Sequence, residues 1–157
     1  MTHATCQMDT PFGRIEIAAN ERALTRITWV EKGGPACDSS PEHPILRAAV
    51  QQLREYFAGT RRAFDLPLAP EGGDLQQAVC QAMLEIPFGQ TRSYGEIAKT
   101  LGVAAQPIGQ ACGGNSIPIV IPCHRVLAAD GKTGGFSGGT GVETKLALLR
   151  HEGALLL

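Results

Sequence analysis

Apolar and polar residues alternate along the start of the chain. Ala4, Cys6 and Met8 are separated by Thr5 and Gln7, and Ile15 and Ile17 flank Glu16. A period of two marks a strand with one face in a core. Pro11-Phe12-Gly13 and Ala19-Asn20-Glu21 interrupt the alternation, which predicts a β-meander over 3–30 with Trp29 in its core. Residues 32–40 are rich in Gly, Pro and Ser and read as a loop. After His43-Pro44 the period changes. Ile45, Leu46, Ala49, Val50, Leu53 and Phe57 recur at helical spacing, and Gly59 supplies the stop. Ala63-Phe64-Asp65-Leu66 has the composition of one more short strand.

Beyond a Pro/Gly-rich stretch at 67–73 the pattern is mainly helical. Asp74 is the expected N-cap of a helix whose stripe is Leu75, Val79, Ala82, Met83 and Ile86, ended by Pro87 and Gly89. Ser93 with Glu96 three positions on forms a capping box for a helix that buries Ile97, Ala98 and Leu101 and stops at Gly102. Val103-Ala104-Ala105 is a short turn before a second helix, about 106–112, with Pro107 in its first turn. Two short helices around such a turn predict a helix-turn-helix. The last helix starts near Val142 with Leu146, Leu149 and His151 on one side, and Glu152-Gly153 ends it. The fold class is therefore α/β: a small antiparallel-sheet domain with one helix over 1–70, then a mainly helical domain with a helix-turn-helix over 71–157.

Composition narrows the function classes. The chain has 157 residues, a formal charge of −1 and 43% hydrophobic residues, ordinary values for a globular protein with a real core. No apolar run is long enough to cross a bilayer, and Met1–Thr10 lacks the layout of a signal peptide, so no membrane association and a cytoplasmic location are expected. Five scattered cysteines suggest no disulfide framework, and the spacing of Cys6, Cys37 and His43 gives no support for a zinc site. From Gly73 onward six basic residues balance six acidic ones. By charge alone the chain does not advertise a nucleic-acid partner. Gly131-Lys132-Thr133 is no phosphate loop, because Val126 stands where the pattern needs glycine, and Thr144 spoils a dinucleotide fingerprint beginning at Gly139.

The candidate chemistry sits in Pro122-Cys123-His124-Arg125-Val126, behind the apolar run Ile117-Pro118-Ile119-Val120-Ile121. The two prolines cannot serve a central sheet ladder, so the run reads as an extended segment carrying Cys123 into a low-dielectric floor. There a thiol is raised in pKa and inert without a base, and His124 is the candidate. A buried Cys beside a packed His is by itself commonplace.

This string, with Asn115-Ser116-Ile117-Pro118 before it and Gly135-Phe136-Ser137-Gly138-Gly139 after it, resembles the active-site signature of the O6-alkylguanine-DNA alkyltransferases, the methylated-DNA–protein-cysteine methyltransferases. The resemblance implies a ribonuclease-H-like N-terminal domain and irreversible transfer of an alkyl group from O6 of guanine in duplex DNA to Cys123. The thioether product would be stable with no second thiol to resolve it, so one turnover per molecule and no cofactor are expected, with a monomer and no metal; some members of that family carry zinc in the N-terminal domain, which the spacing here does not support. The resemblance implies that His124 takes the thiol proton through a water, that Glu152 holds the imidazole, and that Asn115 ties the second helix to the active-site segment. Tyr94 would donate to the leaving base, Ser137 would bond O6, and the carbonyls of Cys123 and Val126 would accept from the base's amino group. Arg125 would brace the fold through an ion pair. The second helix would enter the minor groove, with Gly95, Ala105, Gln106 and Gly109 against DNA, and the target base would be flipped out of the stack.

The chain departs from that pattern at Gln106, where the family usually has an arginine that fills the space of the extruded base, at Pro107 in place of alanine, and at Ser116 in place of proline. Two other functions use the same residues. A Cys-His-Glu hydrolase or acyl transferase on a small substrate would explain the triad. A lesion sensor that binds without transfer would explain the helix-turn-helix.

Overall fold

The computed structural model describes residues 4–31, 42–128 and 141–154. Contacts within the chain divide it into two compact units, 1–70 and 71–157.

The first unit is built on β1 (Ala4–Thr10), β2 (Gly13–Ala19) and β3 (Leu24–Val30), an antiparallel meander in that order. The register pairs Met8 with Ile15 and Ile17 with both Cys6 and Ile27, so the apolar positions share one face. That face packs on α1 (Pro44–Phe57), which buries Leu46, Ala49, Val50, Leu53 and Tyr56. The ring of His43 accepts from the Leu46 N–H and caps the helix, and Gly59, at φ +84°, turns the chain away from its end.

Three expectations for this unit change. Trp29 is half-buried, and its ring lies over the β1–β2 turn, where a Cβ on Gly13 would come within 3.2 Å of it. The stretch 63–66 is not a strand. Gln52 bonds both the N–H (2.8 Å) and the C=O (2.9 Å) of Asp65, so a side chain from α1 takes the groups a ladder would need. Only an isolated bridge from Leu68 to Leu24 follows. Cys6 is disulfide-bonded, against the expectation from the scattered spacing, because spacing along a chain says nothing of which thiols the fold brings together.

The second unit contains α2 (Asp74–Leu84), β4 (Arg92–Ser93), α3 (Tyr94–Leu101), α4 (Ala105–Gly113), a 3₁₀ turn (Cys123–Arg125), β5 (Val126–Leu127) and α5 (Val142–His151). Gly73, not Asp74, is the N-cap of α2, and Leu75 is exposed; Asp74 lies in the first turn, where its charge meets the helix dipole. The capping box of α3 forms with both reciprocal bonds, and Gly102 adopts φ +71° to end it. Helices α3 and α4 then make the helix-turn-helix, with α2 packed against both. β4 and β5 pair in parallel, Arg92 beside Val126, which brings the start of α3 to the segment after Cys123. No described helix is long and apolar enough to cross a membrane.

Candidate active site

The segment feeding Cys123 is a compact turn rather than the expected extended run. The Ile121 N–H bonds the Ile117 carbonyl at 2.9 Å, and Ile119 sits at φ +74°, a left-handed conformation rare for a β-branched residue. Asn115 shapes it: its Nδ2 donates to the Ile121 carbonyl (2.8 Å), and its Oδ1 accepts from the Ile117 N–H (3.0 Å). A side-chain amide thus replaces the sheet ladder that Pro118 and Pro122 cannot join. Ile117, Ile119, Val120 and Ile121 are all buried and form the apolar floor.

Cys123, His124 and Arg125 follow in one 3₁₀ turn, all buried. Side chains in such a turn fan out by about 120° per residue, so the thiol and the imidazole point apart, the outcome expected for an extended chain but reached by another geometry. His124 Nε2 lies 2.8 Å from Glu152 Oε2. Arg125 grips the same carboxylate with two bonds, Nε to Oε1 at 2.7 Å and a terminal nitrogen to Oε2 at 2.9 Å, and its other terminal nitrogen donates to the Ile86 carbonyl. Glu152, 4% exposed at the end of α5, is thereby shared between two neighbours in sequence.

Charge states follow from this arrangement. Burial alone would raise the Glu152 carboxyl, but the bonds from His124 and Arg125 overcome it and hold the pKa at about 2. Burial pushes His124 below its ordinary value against the pull of Glu152, so the imidazole is neutral. A neutral ring facing an ionised carboxylate must carry its proton on Nε2. Its lone pair is then on Nδ1, which is buried and has no partner among the described residues. Burial raises Cys123, and the Asn115 amide and the Lys145 ammonium pull it back. The arrangement is a thiol that needs a base, followed in the same turn by a base whose other ring nitrogen is held on Glu152.

Lys145 is a residue the sequence reading missed. It is wholly buried, donates to the Val126 carbonyl at 2.6 Å and lies 5.7 Å from the centre of the Tyr94 ring. The reading placed the inner side of α5 at Leu146, Leu149 and His151. The structure buries Thr144, Lys145, Leu148 and Leu149 instead, with Glu152 continuing that side. The seven-residue spacing of Lys145 and Glu152 around Leu148 and Leu149 was the available signal. Replacing Lys145 with Met removes a charge that favours the thiolate. At neutral pH the alkylation of Cys123 by iodoacetamide, followed by peptide mapping, should slow roughly tenfold for each unit the thiol rises. Thermal stability should hold or increase, because a desolvated ammonium is gone.

The remaining candidates are placed as follows. Tyr94, half-buried at the start of α3, has its phenol raised by burial and by the nearby Cys112 and Cys123 thiols. The Val126 carbonyl already accepts from Lys145, and the Cys123 carbonyl accepts from the Val126 N–H. Ala105 and Gln106 are exposed on the first turn of α4, and Gly95 is exposed on the first turn of α3. A Cβ added to Gly109 would meet no atom of another described segment within 4 Å, so among the described residues its smallness serves no packing. Ser137, with the glycine-rich stretch 135–139, lies outside the described residues.

Known proteins share this architecture along the whole chain. Residues 5–70 match the family model for the 6-O-methylguanine DNA methyltransferase ribonuclease-like domain, and residues 74–154 match that for its DNA binding domain. The methylated-DNA–protein-cysteine methyltransferase of Methanosarcina acetivorans is 41% identical over 151 residues, covering 93% of this chain and 96% of that one. The Mycobacterium tuberculosis protein of the same name is 42% identical over 149 residues, covering 92% and 89%. The crystal structure of Mycobacterium tuberculosis OGT in complex with DNA superposes with a TM-score of 0.83 at 40% identity, over 96% of this chain and 92% of that one. With matches of that extent in both units, and the Cys123–His124–Glu152 arrangement in place, the chain belongs to the 6-O-methylguanine DNA methyltransferase family.

Proposed function

We propose that this protein repairs DNA by moving an alkyl group from O6 of guanine in duplex DNA to Sγ of Cys123, once per molecule, as a monomer in the cytoplasm. The observation that carries the reading is the 2.8 Å pairing of His124 Nε2 with the Glu152 carboxylate, which leaves the buried Nδ1, without a partner among the described residues, to act as acceptor one residue from a buried thiol. Through a water, Nδ1 takes the proton of Cys123. The sulfur attacks the alkyl carbon in line, the C–O bond breaks, and its electron pair leaves with guanine. Tyr94 supplies a proton to the departing base, and Asn115 holds the sulfur's segment in place. The imidazolium that forms is stabilised by the Glu152 carboxylate, which Arg125 keeps ionised. The product is a thioether, and no step of the scheme restores the thiol.

The N-terminal unit acts as a scaffold, and the C-terminal unit binds DNA and performs the transfer. Helix α4 enters the minor groove with Ala105, Gln106 and Gly109 against the duplex and Gly95 beside them, and the target base is flipped out to reach the sulfur. An α4 with no charged residue and an open Gly109 supports this close approach. Affinity then rests on backbone N–H groups and fit, so the fall of DNA affinity with salt should be shallow. Gln106→Arg should steepen that log–log slope by about one and speed repair of duplex substrate more than reaction with the free base.

Intact-mass measurement after incubation with O6-methylguanine duplex tests the whole reading. One methyl per protein, mapped to Cys123, supports it. Multiple turnovers with an unmodified protein would indicate a hydrolase, and binding without loss of the methyl from DNA would indicate a sensor.

A further inference from the structure

Helix α4 is a weak helix by its own sequence. Two of its nine residues are glycines, Pro107 lacks a donor, and no side chain caps its N-terminus. Such a helix takes its position from what it packs on. At its C-terminal end the Ala111 carbonyl, one of the last-turn acceptors that lack a full intrahelical partner, receives the Gly114 N–H at 3.2 Å. It also receives the side-chain Nε2 of Gln76, from the first turn of α2, at 2.7 Å. The same nitrogen lies 3.7 Å from Cys80 Sγ.

Two glycines make room for that side chain. A Cβ on Gly72, at φ +129°, would fall 2.5 Å from Gln76 Cγ, and a Cβ on Gly114 would fall 3.0 Å from Gln76 Oε1. The amide is therefore confined along its length and meets α4 in one orientation. The segment that carries the sulfur is held by other groups: the Asn115 side chain bonds residues 117 and 121, and Arg125 and His124 are fixed on Glu152.

We infer that Gln76 is a positioning residue for duplex recognition, fixing through the Ala111 carbonyl where α4 presents Ala105, Gln106 and Gly109, with no part in the transfer step. The inference rests on the function proposed above and separates the two halves of that function. Losing the Gln76 bond leaves the Ala111 carbonyl with the longer Gly114 bond, removes the tie from α2 to the end of a marginal helix and lets α4 shift, while Cys123, His124 and Glu152 keep their mutual geometry.

The test measures transfer rates with O6-methylguanine duplex and with free O6-benzylguanine for the wild type, Gln76→Leu and Gln76→Glu. In Gln76→Leu the duplex rate should fall about tenfold, the scale of one lost buried hydrogen bond, with the free-base rate unchanged. In Gln76→Glu the introduced carboxyl can donate to the Ala111 carbonyl only when protonated. Its duplex-to-free-base ratio, normalised to wild type at each pH, should be low at neutral pH and recover toward the carboxyl range. Because the ratio is taken within one sample, any loss of folded protein cancels. Parallel losses on both substrates, unchanged rates on both, or a ratio in Gln76→Glu that does not vary with pH would overturn the inference. A wild type inert toward both substrates would instead remove the proposed function itself.

Discussion

Replacing Cys123 with serine abolishes uptake of the alkyl group and leaves binding of lesion-bearing duplex in place. The two outcomes separate because the residues carry different work. Cys123 lies in the apolar floor, 7% exposed, and α4 presents its exposed first turn elsewhere in the same unit. A serine hydroxyl loses its proton far less readily than a thiol and is the harder nucleophile, so a neutral imidazole cannot activate it toward an sp³ carbon. The exchange removes little volume from the floor, and a serine hydroxyl can take over the contact that the Asn115 amide makes with the sulfur, while the Asn115 bonds to Ile121 and Ile117 persist. The intact mass after incubation with O6-methylguanine duplex should stay that of the unmodified chain, and a gel-shift titration should match wild type. A methylated Cys123→Ser protein, or one that no longer binds, would break the assignment of the sulfur as the sole acceptor.

Glu152→Gln is expected to damage reactivity and stability together. The carboxylate accepts from both His124 and Arg125 in a site almost without solvent. An amide has one oxygen to offer and turns an NH₂ toward the other donor, so one cation or one ring is left unmatched. Removing a partner from a buried ion pair costs about 3–5 kcal/mol, a large part of the stability of an ordinary domain. Transfer should slow on the order of 10²–10⁴-fold, the range associated with a disabled general base. The acid limb of the stability curve gives an independent reading. Glu152 is held from its ordinary 4.5 down to about 2, so the folded protein stays ionised where the unfolded chain takes up a proton. That stabilisation, roughly 3 kcal/mol, is complete above pH 4.5 and is lost as pH falls toward 2. Urea midpoints measured from pH 6 down to pH 2 should fall steeply for wild type and less for the variant. Equal slopes would show that the carboxyl is not clamped as described.

What the sequence disclosed depended on whether the signal was local. The strands of the meander, the span of α1 and the capping box of Ser93 and Glu96 rest on short periodicities and caps, and they form as read, although Tyr56 takes the buried place expected of Phe57 and Ile45 is half-buried. Cys123 and His124 were visible because they are adjacent and embedded in a specific string. Glu152 was accessible only through the family resemblance, since nothing near it in sequence distinguishes it from a solvated helix-end carboxylate. Lys145 was missed because a lysine at an inner helical position contradicts the usual rule and only the fold shows what it meets. The turn at 117–121 was misread for a similar reason. Two prolines and four apolar residues suggest extension, while the Asn115 amide that closes the turn is recognisable only once its partners are in place. Asp65 escaped its expected strand through Gln52, thirteen residues away, which no local pattern encodes.

The left-handed backbone at Ile119 places two opposing demands on one position. Glycine there would relax a conformation that costs about 1–3 kcal/mol for a branched residue, yet it would also empty a wholly enclosed site, a loss of comparable or larger size. Smaller apolar residues keep the strain and still open the void. Neither direction of drift is favourable, so the span between Asn115 and the sulfur is locked by a position where geometry and volume disagree and volume wins.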